Sequence, residues 1–308
     1  SAALGKASRL ADAPGRYIEF CKHTLQRANG LAGLTIVVDC ANGAGYQVAP
    51  AVFEELGARV IRRGVHPDGL NINVDCGSTH IEPLQQAVLD NGADLGIALD
   101  RDGDRVIMVD ENGTALDGDQ LLWIIARGRH EAGLISGPVV GTQMSNLGLE
   151  LALGQLGVPF ERAKVGDRYV LERLMATGGS IGGESSGHLV CLDRTTTGDG
   201  VVSALQVLGY ALDQQVPLSA LARGMEKLPQ CMINVPVSVG SDVLKDQRVG
   251  QTVSAVEAEL GKTGRILLRP SGTEPVLRVM VEGEDAGRVR DAAERLASEI
   301  IAATEVAH

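Results

Sequence analysis

Two stretches of the chain spell the same unit, and that repeat constrains the fold more than any other feature of the sequence. Val37-Val38 opens a strand–turn–helix pattern that closes at Leu56-Gly57. Val139-Val140 opens another that closes at Leu156-Gly157, and the two agree in length to within about two residues. Each is followed by a strand, a polar loop and a returning strand, from Ile97 to Asp110 in the first copy and from Ser180 to Asp193 in the second. An offset of roughly 80–100 residues is one α/β domain, so the pattern predicts two domains of like topology. Each presents one polar loop at a strand end, where open α/β sheets bind ligands.

The last third breaks the pattern. From Gln230 to Ser238 the chain alternates, with Ile233, Val235 and Val237 on one face. Strands over 265–268 and 276–281 flank a polar loop, and an amphipathic helix over 285–302 closes the chain. The fold class read this way is α/β: two similar mixed-sheet α/β domains, 1–112 and 113–227, then a smaller α+β C-terminal domain, 228–308. Helices are predicted over 12–29, capped by Asp12 with Pro14 in the first turn, and after the loop Asn42-Gly-Ala-Gly45 to about Gly57. Others are predicted over 81–91, 117–131 and 250–260.

Composition removes several classes of function. A formal charge of −11 with no basic run argues against a nucleic-acid partner. Aromatics are 3% of the 308 residues, so stacking platforms are scarce. No apolar run approaches the ~20 residues of a membrane span, and no apolar leader opens the chain. Cys21, Cys40, Cys76, Cys191 and Cys231 are dispersed and form no C-x-x-C pair. They read as thiols in a reducing compartment, and the expectation is a soluble cytoplasmic protein.

Three loops carry chemistry. Asp100-Arg-Asp102-Gly-Asp104-Arg105 places carboxylates at i, i+2 and i+4, a set of hard oxygen ligands suited to Mg²⁺. It is not an EF-hand: Glu111 stands at the twelfth position, but Arg105 occupies the sixth, where glycine is needed, and a strand precedes the loop. In Gly183-Glu-Ser-Ser-Gly-His188, the alternation of Glu184, Ser186 and His188 predicts a shared face suited to sugar hydroxyls or an amine. A Ser–His hydrolase is the rival, weakened because two residues so spaced point alike and do not meet. In Arg269-Pro-Ser-Gly-Thr-Glu-Pro275, followed by Arg278, Ser271 and Thr273 offer hydroxyls, Gly272 opens the backbone to an anion, and Arg269 adds a fork of donors for phosphate. Together the loops describe a cleft for a phosphorylated sugar.

These loops, with Gly15-Arg-Tyr-Ile-Glu-Phe-Cys21, Lys164-Val-Gly-Asp-Arg-Tyr-Val170 and Thr195-Thr-Thr-Gly-Asp199, make the sequence resemble the α-D-phosphohexomutase family over essentially its whole length. The resemblance implies that Asp100, Asp102 and Asp104 hold Mg²⁺ and that Glu184, Ser186 and His188 read the sugar. It implies that Arg269, Ser271, Gly272 and Thr273 bind substrate phosphate and that Arg105 supports the transferring group; Arg278, following the same loop, is read as a further substrate-binding residue. The implied activity interconverts glucosamine 6-phosphate and glucosamine 1-phosphate through an enzyme phosphoserine and a bisphosphate. Glucose or mannose phosphate, or phosphosugar binding without catalysis, are the alternatives. Arg101 departs from the family's usual glycine. The chain also reads as domains two to four, without the domain that carries the phosphoserine, so the isolated chain is expected to be inactive. Neither Ser78, in Gly77-Ser-Thr-His80, nor Ser145, read as a helix cap in Met144-Ser-Asn146, resembles that serine. The partner implied is a phosphorylated hexosamine, with no membrane and no nucleic acid; oligomeric state stays open, a homo-oligomer of the full-length parent included.

Overall fold

The computed structural model describes residues 10–25, 27–237, 243–271 and 274–306, together with Gly5. Residues 1–144 with 153–224 form one compact unit, and residues 145–152 with 225–308 form another.

The first unit opens with α1 (Ala13–Thr24), which stops short of residue 29. Thr24 turns its hydroxyl back onto the Cys21 carbonyl at 2.7 Å, and Leu25 leaves the helical region to bury its side chain. Asp12 makes no capping bond; its carboxylate pairs instead with Arg16, one turn on. A first sheet then forms from β1 (Thr35–Asp39), β2 (Arg59–Arg63), β3 (Leu95–Leu99), β4 (Val106–Val109) and β5 (Ala115–Leu116), in the order β2-β1-β3-β4-β5. Between its strands lie α2 (Val48–Glu55) and α3 (Glu82–Asn91).

Next comes α4 (Gly118–Glu131), started by a reciprocal capping box between Asp117 and Gln120. A second sheet follows from β6 (Val139–Thr142), β7 (Phe160–Ala163), β8 (Ile181–Gly183) and β9 (Leu189–Cys191), in the order β7-β6-β8-β9, with α5 (Leu147–Gln155) and α6 (Asp167–Thr177) between them. The unit closes with α7 (Gly200–Gln214) and α8 (Leu218–Ala222).

The sequence repeat is thus a repeat of topology. β1 runs parallel to β2 and β3, and β4 returns antiparallel to β3. β6 runs parallel to β7 and β8, and β9 returns antiparallel to β8. In the first copy Val37 packs with Leu84, Val88 and Ala98, and in the second Val140 packs with Val170, Leu174 and Val190. Burying each of these aliphatic side chains contributes about 1.5–3 kcal/mol. The glycines that close the two units, Gly57 and Gly157, both take left-handed backbone, at φ 95° and 71°. After each, a backbone N–H reaches five residues back, from Ala58 to Phe53 and from Val158 to Leu153, at 3.0 Å in both cases.

The second unit is built on β10 (Gln230–Pro236), α9 (Gln247–Leu260), β11 (Arg265–Pro270), β12 (Val276–Glu282) and α10 (Ala286–Val306). Its sheet, β10-β12-β11, is antiparallel throughout, and Ile233, Val235 and Val237 face the core with Val279, Leu296 and Ile300. Ser238 lies outside the described residues. Asn146 and the start of α5 belong to this unit. The Asn146 side chain accepts the N–H groups of Gly148 and Leu228, at 2.9 and 3.0 Å, and donates to the Leu228 carbonyl at 3.0 Å. It also donates to Glu282, which is fully buried and ion-paired with Arg265. Asn146, immediately before α5, thus accepts an N–H of its first turn.

Candidate functional site

The two polar loops of the repeat occupy equivalent places, each joining an antiparallel strand pair, and in the first unit they meet. Arg105 and His188 form a bridge between the loops, Val106 N–H donates to the Gly187 carbonyl at 3.1 Å, and Gly118 N–H donates to the Ser185 carbonyl at 3.0 Å.

Asp100, at the end of β3, is 3% exposed. Its Oδ1 accepts the N–H groups of Gly103 and Arg105, both at 3.1 Å, which curls the loop back over it. One ligand oxygen from each of Asp100, Asp102 and Asp104 falls in a cluster no more than 4.8 Å across. Asp100 Oδ2 and Asp104 Oδ1 are buried and receive no hydrogen bond; the Arg105 guanidinium stands 3.3 and 3.6 Å from them. Burial, with the two neighbouring carboxylates, pushes Asp100 up to about 6, while the hydrogen bond from Asp100 holds Asp102 below the usual carboxylate range. Three carboxylates with two buried oxygens lacking donors suit a hard divalent cation. Glu111 takes no part: its carboxylate holds the Ser219 hydroxyl.

The loop from Gly183 to His188 is shaped differently from the expectation. Glu184 to Gly187 form a tight turn, with Gly187 at φ 95° and its N–H on the Glu184 carbonyl, so the alternation of an extended strand is lost. Glu184 is half-buried and accepts the Gly166 N–H at 2.8 Å, Ser186 is exposed, and His188 is 5% exposed. His188 Nε2 stands 3.6 Å from Asp104, and its Nδ1 makes no hydrogen bond. Ser186 and His188 do not form a nucleophile–base pair.

Two segments carry roles the sequence left open. Gly166 starts α6 and fixes Glu184, which explains the Lys164–Val170 motif. Tyr17 donates to Asp199 at 2.9 Å, joining residues 182 positions apart. Ser78 sits nearer the aspartate loop than its sequence suggests, since its N–H donates to the Leu99 carbonyl at 3.0 Å.

The Arg269 loop belongs to the second unit. Arg269 and Arg278 are direct cross-strand partners, so both guanidiniums leave the same face of the β11–β12 pair. Glu274 approaches Arg278 only at 3.8 Å, and Arg278 Nε is buried without a hydrogen bond. Ser271 N–H bonds the Val276 carbonyl at 2.9 Å, and its hydroxyl accepts Glu274 N–H at 3.3 Å, which holds the turn. Gly272 and Thr273 lie outside the described residues.

A duplicated α/β sheet whose paired loops meet beside a cluster of three carboxylates, followed by a small domain with paired arginines, is the architecture of a sugar-phosphate mutase fold. The chain belongs to the phosphoglucomutase/phosphomannomutase family: the models of its alpha/beta/alpha domain II, alpha/beta/alpha domain III and C-terminal domain match residues 15–113, 117–228 and 232–299. Phosphoglucosamine mutase of Alkalilimnicola ehrlichii is 62% identical over 97% of this chain and 66% of its own length. That of Aeromonas salmonicida is 57% identical over 97% of this chain and 68% of its own. The chain thus spans about two thirds of the length of these relatives. Among solved structures, N-acetylphosphoglucosamine mutase of Aspergillus fumigatus, in complex with GlcNAc-6P and magnesium, superposes with a TM-score of 0.74 at 19% identity, covering 94% of this chain and 65% of that one. A phosphoglucomutase/phosphomannomutase family protein of Burkholderia thailandensis gives 0.76 at 21% identity, covering 94% and 64%. At such identities the likeness is one of fold.

Proposed function

We propose that this chain forms the metal- and substrate-holding part of a mutase that interconverts glucosamine 6-phosphate and glucosamine 1-phosphate. The observation that carries the reading is the junction of the two repeat loops, which sets Asp100, Asp102 and Asp104 beside Arg105 and His188. The phosphoglucosamine mutase relatives support the choice of substrate. Matches to three consecutive domains of the family support a division near 1–112, 113–227 and 228–308.

In this reading Asp100, Asp102 and Asp104 hold Mg²⁺, which supplies positive charge against the phosphoryl oxygens. Arg105, already against the triad, donates to the group in transfer. Glu184 has one carboxylate oxygen on Gly166 N–H and presents the other to the sugar with Ser186, while the buried His188 imidazole lines the junction. Arg269 and Arg278, with Ser271, Gly272 and Thr273, bind the phosphate that is not reacting. A phosphoserine of the family's preceding domain would give its phosphoryl group to the sugar and regain the other from the bisphosphate. A reducing, cytoplasmic setting fits five cysteines that are all free. Among the described residues no helix is long and apolar enough to cross a membrane.

Calorimetry on the purified chain tests the reading. Glucosamine 6-phosphate is expected to bind in the presence of Mg²⁺, more tightly than glucosamine or mannose 6-phosphate. Equal affinity for phosphorylated and free sugar would remove the proposal. The chain alone, with Mg²⁺ and a catalytic amount of bisphosphate, is expected to give no 1-phosphate. Turnover that vanishes in Ser78→Ala would move the nucleophile to Ser78.

A further inference from the structure

Helix α1 reaches the aspartate loop through a relay of contacts. The Tyr17 hydroxyl bonds both carboxylate oxygens of Asp199, at 2.9 and 3.1 Å. The same carboxylate accepts the Val202 N–H at 3.0 Å and so caps α7. The residue after it, Gly200, donates its N–H to the Gly103 carbonyl at 2.9 Å, midway between Asp102 and Asp104. The residue before it, Gly198, lies flat against the His188 ring: a Cβ there would stand 2.2 Å from Nε2, the nitrogen that faces Asp104. Gly200 is as confined, because a Cβ would stand 2.8 Å from the Arg105 carbonyl. Residues 198–200 therefore hold the aspartate loop by one backbone bond and by one imidazole, and the Asp199 side chain fixes where those three residues run. Tyr17, Asp102, Asp104 and Asp199 line one cavity of about 360 Å³. Although it faces that cavity, Asp199 spends both oxygens on protein donors.

We infer that Tyr17 and Asp199 are positioning residues for the metal loop: the pair fixes the start of α7 and, through the Gly200–Gly103 bond and the Gly198–His188 contact, sets the three aspartates at the spacing a divalent cation needs. The inference rests on the metal reading of Asp100, Asp102 and Asp104. A side chain that orients a metal site from behind its ligands typically contributes 10- to 100-fold in metal affinity.

Mn²⁺ titrated into the full 308-residue chain, with free ion followed by electron paramagnetic resonance and thermal unfolding run in parallel, tests it. Tyr17→Phe is expected to weaken Mn²⁺ binding about 10-fold at an unchanged melting temperature, and Asp199→Ala by more, toward 100-fold. Asp199→Asn keeps an oxygen for Val202 N–H and should fall between them. The double variant Tyr17→Phe/Asp199→Ala should bind no more weakly than Asp199→Ala alone, because the two act through one carboxylate. Unchanged Mn²⁺ affinity in Tyr17→Phe, an additive double variant, or loss of affinity only in step with loss of stability would overturn the inference. Asp102→Asn separates the two layers. If it abolishes Mn²⁺ binding while Tyr17→Phe changes nothing, only the positioning role fails; if Asp102→Asn binds as the parent does, the metal reading fails and this inference with it.

Discussion

Replacing Arg269 by alanine should change two quantities in opposite directions. Arg269 and Arg278 face each other across β11 and β12, and among the described residues no carboxylate is closer than Glu274, 3.8 Å from Arg278. Without an anion, like charges at directly opposed positions destabilise a strand pair, so Arg269→Ala should stabilise the ligand-free chain by about 0.2–1 kcal/mol. With a phosphate present, the same change removes charge-assisted hydrogen bonds of about 1.5–3 kcal/mol, or roughly 10- to 100-fold in affinity. Urea unfolding of the free chain reads the first quantity, and calorimetry with glucosamine 6-phosphate against glucosamine reads the second. A hairpin whose arginine serves only to hold the turn would lose stability on substitution and bind both ligands as before. That result, or an equal loss for both ligands, would refute the argument.

In the second unit, Asn146→Ala should leave the Leu228 N–H and carbonyl and the Gly148 N–H buried without partners, and should loosen that unit by about 3 kcal/mol or more. Hydrogen exchange at Leu228 should quicken at least tenfold, and unchanged protection would show that the bonds contribute little. Burial pushes the Cys21, Cys40 and Cys191 thiols up to about 12. A raised thiol pKa leaves the inert protonated form dominant until pH rises well above neutrality. A thiol reagent should therefore mark half-buried Cys231 first in the native chain and all five cysteines in denaturant; rapid labelling of Cys191 would contradict this.

Local physics made the repeat legible. Valine pairs mark buried strands, and Gly57 and Gly157 mark helix ends that only a left-handed residue closes readily. The same locality hid the end of α1, where Thr24 and Leu25 answer to a backbone carbonyl and to the core rather than to helical periodicity. Strand-like alternation suggested one face for Glu184, Ser186 and His188, but a turn closed by Gly187 sends them to three environments. Nothing local announces that Tyr17 meets Asp199, or that Gly198 abuts His188; those contacts exist only once both sheets have formed.

The loop junction also bears on where the chain can be cut. All three aspartates are encoded before residue 113, so a fragment ending there carries the whole proposed ligand set. It lacks the Gly187 carbonyl that receives Val106, the Gly200 amide that holds Gly103 and the imidazole beside Asp104. Such a fragment owns the chemistry without its frame, and its aspartates would behave as an ordinary solvated acidic turn. In the proposed reading, a piece meant to bind a cation must therefore keep residues 187–200 with the aspartate loop, and a screen of shorter pieces would sample a different conformation of the same six residues.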